Sequence, residues 1–428
     1  MTHPPPNAVT SMEHAEERRI CDAGRFIGLD VHKHYLVVVG VDAELNVVLP
    51  AQRVDFARLE TWMKKTLTKQ DEVVLEMTTN TWELYNELSG YVGSVTVVHP
   101  PHVALITRSQ VMNDKIAASI LARLLAKGLL VGIWVPPQEV RELRALVAQR
   151  SKMTRLATQA KNRLHALLQR HHWAPPEGNP FHSDQSEWWQ ALPVSRLEKL
   201  NLQNDLDTLG FAVTQLARLT SMMKEIAAKD EQVTRLIHLP GFGVVVAVTV
   251  WAAIGDIGRF ADPKHLVGYA GLGATIHESG LTSRTGRITK AGRKDLRTTL
   301  VEAAQIAANT HPHWKAELAR LEPRLGRNKA IVAIARKLLI AVWYVLAQQA
   351  ADRFAEPEIV ARKLMKLAYQ IGKHNRPAGQ SGAQFVRQHL DALHLGTDLS
   401  AISWNSKKPI IMPPSALQEN QVSDVPDT

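Results

Sequence analysis

Three short apolar or β-branched runs, Phe26–Val31, Tyr35–Val41 and Asn46–Leu49, follow one another with only polar turns between them. That spacing predicts a three-strand meander. Helical periodicity then appears over Phe56–Leu67, an apolar strand run over Val73–Met77, a second helical stretch over Trp82–Tyr91 and a further strand run over Val95–Val98. Met112–Lys127 follows, with Ile116, Ile120, Leu121 and Leu124 on one stripe. The order βββαβαβα constrains the fold more than any other feature, because it suits a mixed sheet flanked by helices.

Two of these runs close on a carboxylate. Asp30 ends Ile27-Gly28-Leu29-Asp30, and Glu76 ends Val73-Val74-Leu75-Glu76. Acids at neighbouring strand ends can converge on a hard cation that bridges to phosphate oxygens; a helix cap or an ion pair is the plainer role for either one alone. Asp114, early in the next helix, can reach the same strand ends. The positions one turn further along that face are Ala117 and Ala118, so either three protein carboxylates with additional water hold Mg2+, or the site is weakened.

Pro136-Pro137 marks a boundary, after which Gln138–Gln169 reads as one long helix. Between Arg141 and Arg170 this helix carries eight Lys or Arg, among them Arg150, Lys152, Arg155, Lys161 and Arg163, against the single Glu142. A one-signed helix suggests a surface that tracks phosphates, with an ordinary solvated helix as the alternative. Ala174–Pro180 is a proline-rich break, and Leu197–Ala228 is helical again. From Glu231 a second compact unit is expected, containing the turn Pro240-Gly241-Phe242-Gly243 between two apolar helices. That turn is similar to the hairpin of helix-hairpin-helix elements, in which backbone amides hold DNA phosphates; Gly241 and Gly243 are its candidate nucleic-acid contacts. A bare helix-helix turn fits equally. The boundaries expected are 1–24 as a flexible N-terminus, 25–134, 135–230, 231–350 and 351–428, with the polar, Pro/Ser-rich tail from Asn405 disordered.

Residues 277–297 are glycine-punctuated and basic. Gly280, Gly286 and Gly292 let backbone approach a ligand, while Arg284, Arg287, Lys290, Arg293, Lys294 and Arg297 can neutralise phosphate charge. A hydroxyl among such cations is a candidate nucleophile; Ser279, Thr282, Ser283 and Thr289 all qualify, and a phosphate-binding loop without covalent chemistry remains open.

Composition supports a polyanionic partner: 51 Lys and Arg against 41 Asp and Glu give a net charge of +10. Cys21 is the only cysteine, which excludes an intramolecular disulfide and a Cys-based zinc site and fits a reducing cytoplasm. There is no apolar stretch of signal-peptide type near the start, and the apolar runs Val244–Ile254 and Ile331–Leu346 are short or interrupted by Arg336 and Lys337, so no membrane span is expected.

Gly-Leu-Asp-Val-His-Lys at 28–33, Leu-Glu-Met at 75–77, Asn-Asp-Lys-Ile-Ala-Ala at 113–118 and Ser-Gly with Gly-Arg-Ile-Thr-Lys-Ala-Gly at 279–292 together resemble a DEDD insertion-sequence transposase of the IS one-ten type, related to Piv-type DNA invertases. The resemblance runs over roughly residues 25–350. It implies an α/β RuvC-like (RNase H-like) domain, a long helical coiled-coil connector and a mainly α-helical second catalytic domain. It matches Asp30, Glu76 and Asp114 to the first three acids of the family, its fourth to Ala117, and Ser279 to a serine that attacks DNA. It also implies donor and target DNA, a bridge RNA that pairs with both, and a homodimer assembling to a tetramer that acts at the nucleoid. The expectation is therefore a Mg2+-assisted serine recombinase. The alternatives are a RuvC-like nuclease or junction resolvase using water alone, or a catalytically impaired nucleic-acid-binding relative.

Overall fold

A computed structural model describes residues 24–101, 103, 113–279, 282–403 and 408–417. The chain divides after Pro136 into two compact units.

The first unit is built on five strands, β1 (Arg25–Val31), β2 (Tyr35–Val41), β3 (Val47–Asp55), β4 (Asp71–Glu76) and β5 (Ser94–Val98), in the order β3-β2-β1-β4-β5. β1, β2 and β3 pair antiparallel, whereas β4 pairs parallel to β1 and β5 parallel to β4. Helices α1 (Leu59–Thr66), α2 (Thr81–Ser89) and α3 (Asp114–Ala126) accompany the sheet. This mixed α/β arrangement is compatible with an RNase H-like domain. β1 and β4 are central, and Phe26, Ile27, Leu29, Val73, Val74 and Leu75 are completely buried, since both faces of the sheet are covered.

β3 is longer than its apolar run. It continues through Pro50 to Asp55, and the helical periodicity over Phe56–Leu67 yields α1 only from Leu59, after a short 3-10 turn at Phe56–Arg58. The reason is position: β3 is an edge strand with one pairing partner, so proline and exposed polar residues are tolerated there.

The second unit begins with α4 (Gln138–Arg170), which packs antiparallel against α6 (Arg196–Lys229); the short α5 (Ser186–Gln190) lies between them in sequence. Arg150 meets Thr220, Arg163 meets Asp205, and His171 meets Glu198. Ser195 and Glu198 form a reciprocal capping box at the start of α6. α7 (Glu231–Ile237), α8 (Val244–Ile254), α9 (Pro263–Tyr269), α10 (Lys294–Thr310), α11 (Pro312–Leu325) and α12 (Arg327–Gln348) enclose the largest apolar core. Among the described residues α12 is the one helix long and apolar enough to cross a membrane. It is instead the central core helix, with Ile334, Ala335, Leu338, Leu339 and Val342 fully buried.

The mainly helical expectation for this unit has one exception that matters. The serine segment forms an antiparallel hairpin of β6 (Ala274–Ser279) and β7 (Thr282–Ile288). α13 (Pro357–Ile371) and α14 (Gly382–Ala392) follow α12, with two short paired strands, β8 (Ala401–Ile402) and β9 (Ile410–Ile411). The disorder expected from Asn405 therefore does not extend to residues 408–417. Met412 and Ser415 are buried, Ser415 Oγ donates to Asp391, and Arg387 Nε donates to the carbonyl of Pro413.

Candidate functional site

The parallel register pairs Leu29 with Leu75, so Asp30 and Glu76, each one residue further on, leave the sheet at the same end. Asp114 is the first residue of α3, whose N-terminus is capped by Asn113 accepting from the Ile116 amide at 2.9 Å. α3 can reach β1 because residue 28 is glycine: a Cβ there would meet the Ala118 carbonyl oxygen at 2.0 Å. Strand register thus sets two of the sequence-predicted acids, and helix docking brings the third.

Donor atoms of Asp30, His32 and Asp114 lie within 4.8 Å of one another. His32 Nε2 is 3.4 Å from Asp30 Oδ2 and 3.2 Å from Asp114 Oδ2, and the Tyr35 hydroxyl donates to the same Asp114 oxygen at 3.1 Å. Burial pushes the Asp30 carboxyl up, with His32 opposing and Asp114 adding to the shift. Burial and the charge of Asp30 likewise raise Glu76, which stands beside the tight triplet rather than within it. Carboxylates that are desolvated and repel one another are stabilised by a divalent cation, and oxygen donors of this kind suit one. Ala117, one turn along α3 from Asp114, offers no donor. Sequence reasoning missed His32 and Tyr35. The signal for His32 was its spacing of two residues from Asp30, which in extended chain puts both on one face.

Ser279 ends β6, exposed, and pairs with Thr282 across the hairpin. Gly280 lies outside the described residues, as do the side chains of Thr282 and Ser283. Gly286 is required by packing, since a Cβ would sit 2.3 Å from Thr275 Oγ1 on the opposite strand. Arg284, Arg287 and Lys290 are exposed. Arg293 is partly buried and forms a forked pair with Asp295 at 3.0 and 2.5 Å, and Arg297 donates to the Ala270 carbonyl at 2.8 Å. The basic segment therefore presents Arg284, Arg287, Lys290 and Lys294 outward and ties Arg293 and Arg297 into the fold.

In the turn between α7 and α8, Gly241 has φ +78° and its missing Cβ would lie 2.1 Å from the Ala303 carbonyl oxygen, whereas a Cβ on Gly243 would meet no described atom within 4 Å. Phe242 between them is fully buried. On α4, Lys152 and Arg155 are exposed. Arg150 is partly buried against Thr220, Arg163 pairs with Asp205 at 2.6 Å, and Lys161 lies 5.2 Å from the centre of the Phe181 ring. Arg144 caps the last carbonyls of α8, donating to Ala252 and Ala253 at 2.8 and 3.0 Å. The lopsided charge of α4 is thus partly structural.

Two family models match the chain. The model of the DEDD transposases of IS110 matches residues 27–173, which include Asp30, Glu76 and Asp114. The model described as the transposase IS116/IS110/IS902 family matches residues 233–319, which include Ser279. Similar whole proteins are the transposase for insertion sequence element IS1111A from Coxiella burnetii, 25% identical over 79% of this chain and 94% of that protein, and the pilin gene-inverting protein of Moraxella bovis, 25% identical over 76% and 96%. The transposase for insertion sequence element IS1328 from Yersinia enterocolitica is 22% identical over 75% and 96%. With the strand-end acids in one matched segment and the serine hairpin in the other, the chain belongs to the IS110-type family of insertion-sequence transposases.

Proposed function

We propose that the protein cuts and rejoins DNA with Ser279 as nucleophile, and with Asp30, Glu76 and Asp114 holding a divalent cation, magnesium by the hardness of their oxygens. The observation that carries this reading is the convergence of Asp30 and Asp114 at one end of the sheet, in a chain of a transposase family. Ser279 Oγ forms a bond to phosphorus while one ester oxygen of the phosphodiester leaves, taking up the proton that the hydroxyl gives up. The phosphoserine link keeps the phosphodiester ready for rejoining to a second strand. Arg284 and Arg287, outward on the adjoining strand, balance the charge that gathers on the phosphate oxygens. A bound cation would supply Lewis-acid polarisation of a phosphate oxygen.

Lys152 and Arg155 on α4 and the amides around Gly241 and Gly243 are read as contacts to nucleic-acid backbone, which holds without reading sequence. Target choice then falls to a structured guide RNA, gripped by shape and phosphate, as the family resemblance implies; the same resemblance implies a dimer that pairs into a tetramer. The test is Ser279→Ala. Covalent protein-DNA adducts disappear while DNA binding persists, and adducts that survive the substitution would refute the nucleophile. A second reading, hydrolysis by a RuvC-like nuclease, is favoured by the cation-binding triplet lying wholly within the first unit. It requires strand cleavage that survives Ser279→Ala and is lost in Asp30→Ala.

A further inference from the structure

We propose that His32 is a further protein ligand of the cation, binding through Nε2 between Asp30 and Asp114, so that the mixed nitrogen-oxygen site still admits Mg2+ but binds Mn2+ more tightly. This rests on the cation site proposed above and specifies its chemistry.

The ring is held in place from several sides. It stacks on Tyr35 with centroids 4.6 Å apart and an interplanar angle of 25°, and Tyr35 is itself fixed by its hydroxyl on Asp114 and by the Arg53 guanidinium 3.8 Å above its ring. The His32 amide donates to the Tyr35 carbonyl at 2.9 Å, and its own carbonyl accepts from Asn80 Nδ2 at 3.5 Å. So placed, Nε2 is a buried atom with no hydrogen-bond partner among the described residues, although two carboxylate oxygens lie 3.2 and 3.4 Å away. The separations are those of an ion pair. A buried polar nitrogen without a partner is costly. A cation shared by Nε2 and the two carboxylates removes that cost, because each donor then points at the ion rather than at its neighbour. The next positions of α3, Ala117 and Ala118, carry no donor group.

An imidazole among the ligands changes the selectivity. Mg2+ prefers an all-oxygen shell with near-ideal octahedral geometry, whereas imidazole nitrogen is a good ligand for the transition metals, whose affinities rise along the series from Mn2+. The chain should therefore bind Mn2+ more tightly than Mg2+ by a margin that depends on His32.

The experiment uses the full-length protein carrying 15N-labelled histidine, loaded with Mn2+ and read by pulsed electron paramagnetic resonance. The expected result is a histidine nitrogen coupling to the bound ion that vanishes in His32→Ala and persists in His34→Ala, an exposed neighbour. Titration should show Mn2+ affinity falling at least about tenfold in His32→Ala while Mg2+ affinity changes little. Bound Mn2+ that is lost in Asp30→Asn but shows no histidine coupling in the wild type overturns the proposal and leaves the carboxylate site standing. Failure to bind Mn2+ or Mg2+ at all overturns both. The coupling in the wild type is decisive by itself if His32→Ala does not fold.

Discussion

A Cβ placed on Gly28 would fall 2.0 Å from the carbonyl oxygen of Ala118 and 2.6 Å from the amide nitrogen of Ala122. Strand β1 and helix α3 are therefore in backbone contact, and this contact sets how far Asp114 stands from Asp30. Gly28→Ala must push the helix away, since neither atom belongs to a flexible side chain. The expected cost is about 1–3 kcal/mol in denaturant unfolding of the first unit. Divalent-cation affinity, measured by titration, should fall with it. A stable Gly28→Ala protein that binds the cation as the wild type does would show that the close approach is dispensable.

The two glycines of the α7–α8 turn have different tasks and should respond differently. Gly241 combines a positive φ with a wall of backbone at Ala303, so Gly241→Ala destabilises the second unit by more than about 1 kcal/mol. Gly243 has ordinary extended φ and open space, so Gly243→Ala should leave stability within about 0.5 kcal/mol. If the turn's amides hold phosphates, the added methyl at 243 still weakens DNA binding at moderate salt. Urea unfolding and fluorescence anisotropy, run on both variants, separate these effects.

His238 gives the second unit an acid-sensitive joint. Its Nδ1 donates to the Arg235 carbonyl and its Nε2 accepts from the Asp352 amide at 2.8 Å, an arrangement only the neutral ring can make. Burial is the main reason its pKa is lowered from 6.5 to about 4; the hydrogen bond to the Arg235 carbonyl opposes the shift, and the charges of Lys363 and Arg235 add to it. The unfolded chain binds the proton first, so stability is intact above pH 6.5 and is lost as pH falls from 6.5 towards 4. The loss amounts to about 3 kcal/mol. Urea midpoints measured at pH 7 and pH 4.5 should converge in His238→Gln, which has no ring to protonate. An equal acid loss in that variant assigns the effect to other groups.

The strands and helices were legible because their signals are local. Apolar period and β-branching marked four of the five strands of the first unit closely, and the length of α4 followed from a run without Gly or Pro, whereas α6 continues straight through Gly210. β3 was underestimated, because an edge strand keeps its pairing even where Pro50 and exposed polar residues break the pattern. Asp30 and Glu76 could be singled out for the same local reason: an acid closing a buried strand is unusual wherever the strand sits.

What sequence alone determined, then, was the order of elements, the acids at the ends of β1 and β4, and the basic, glycine-spaced segment around Ser279. Tertiary structure decided which charges are free to act. Arg144 and Arg297 donate to carbonyls of neighbouring elements, and Arg293 pairs with Asp295, while Arg284, Arg287, Lys152 and Arg155 face outward. It also decided that His32 joins Asp30 and Asp114. Such pairings depend on strand register and on how closely a helix docks, and both are set by packing between residues far apart in the chain, where no local periodicity carries the information.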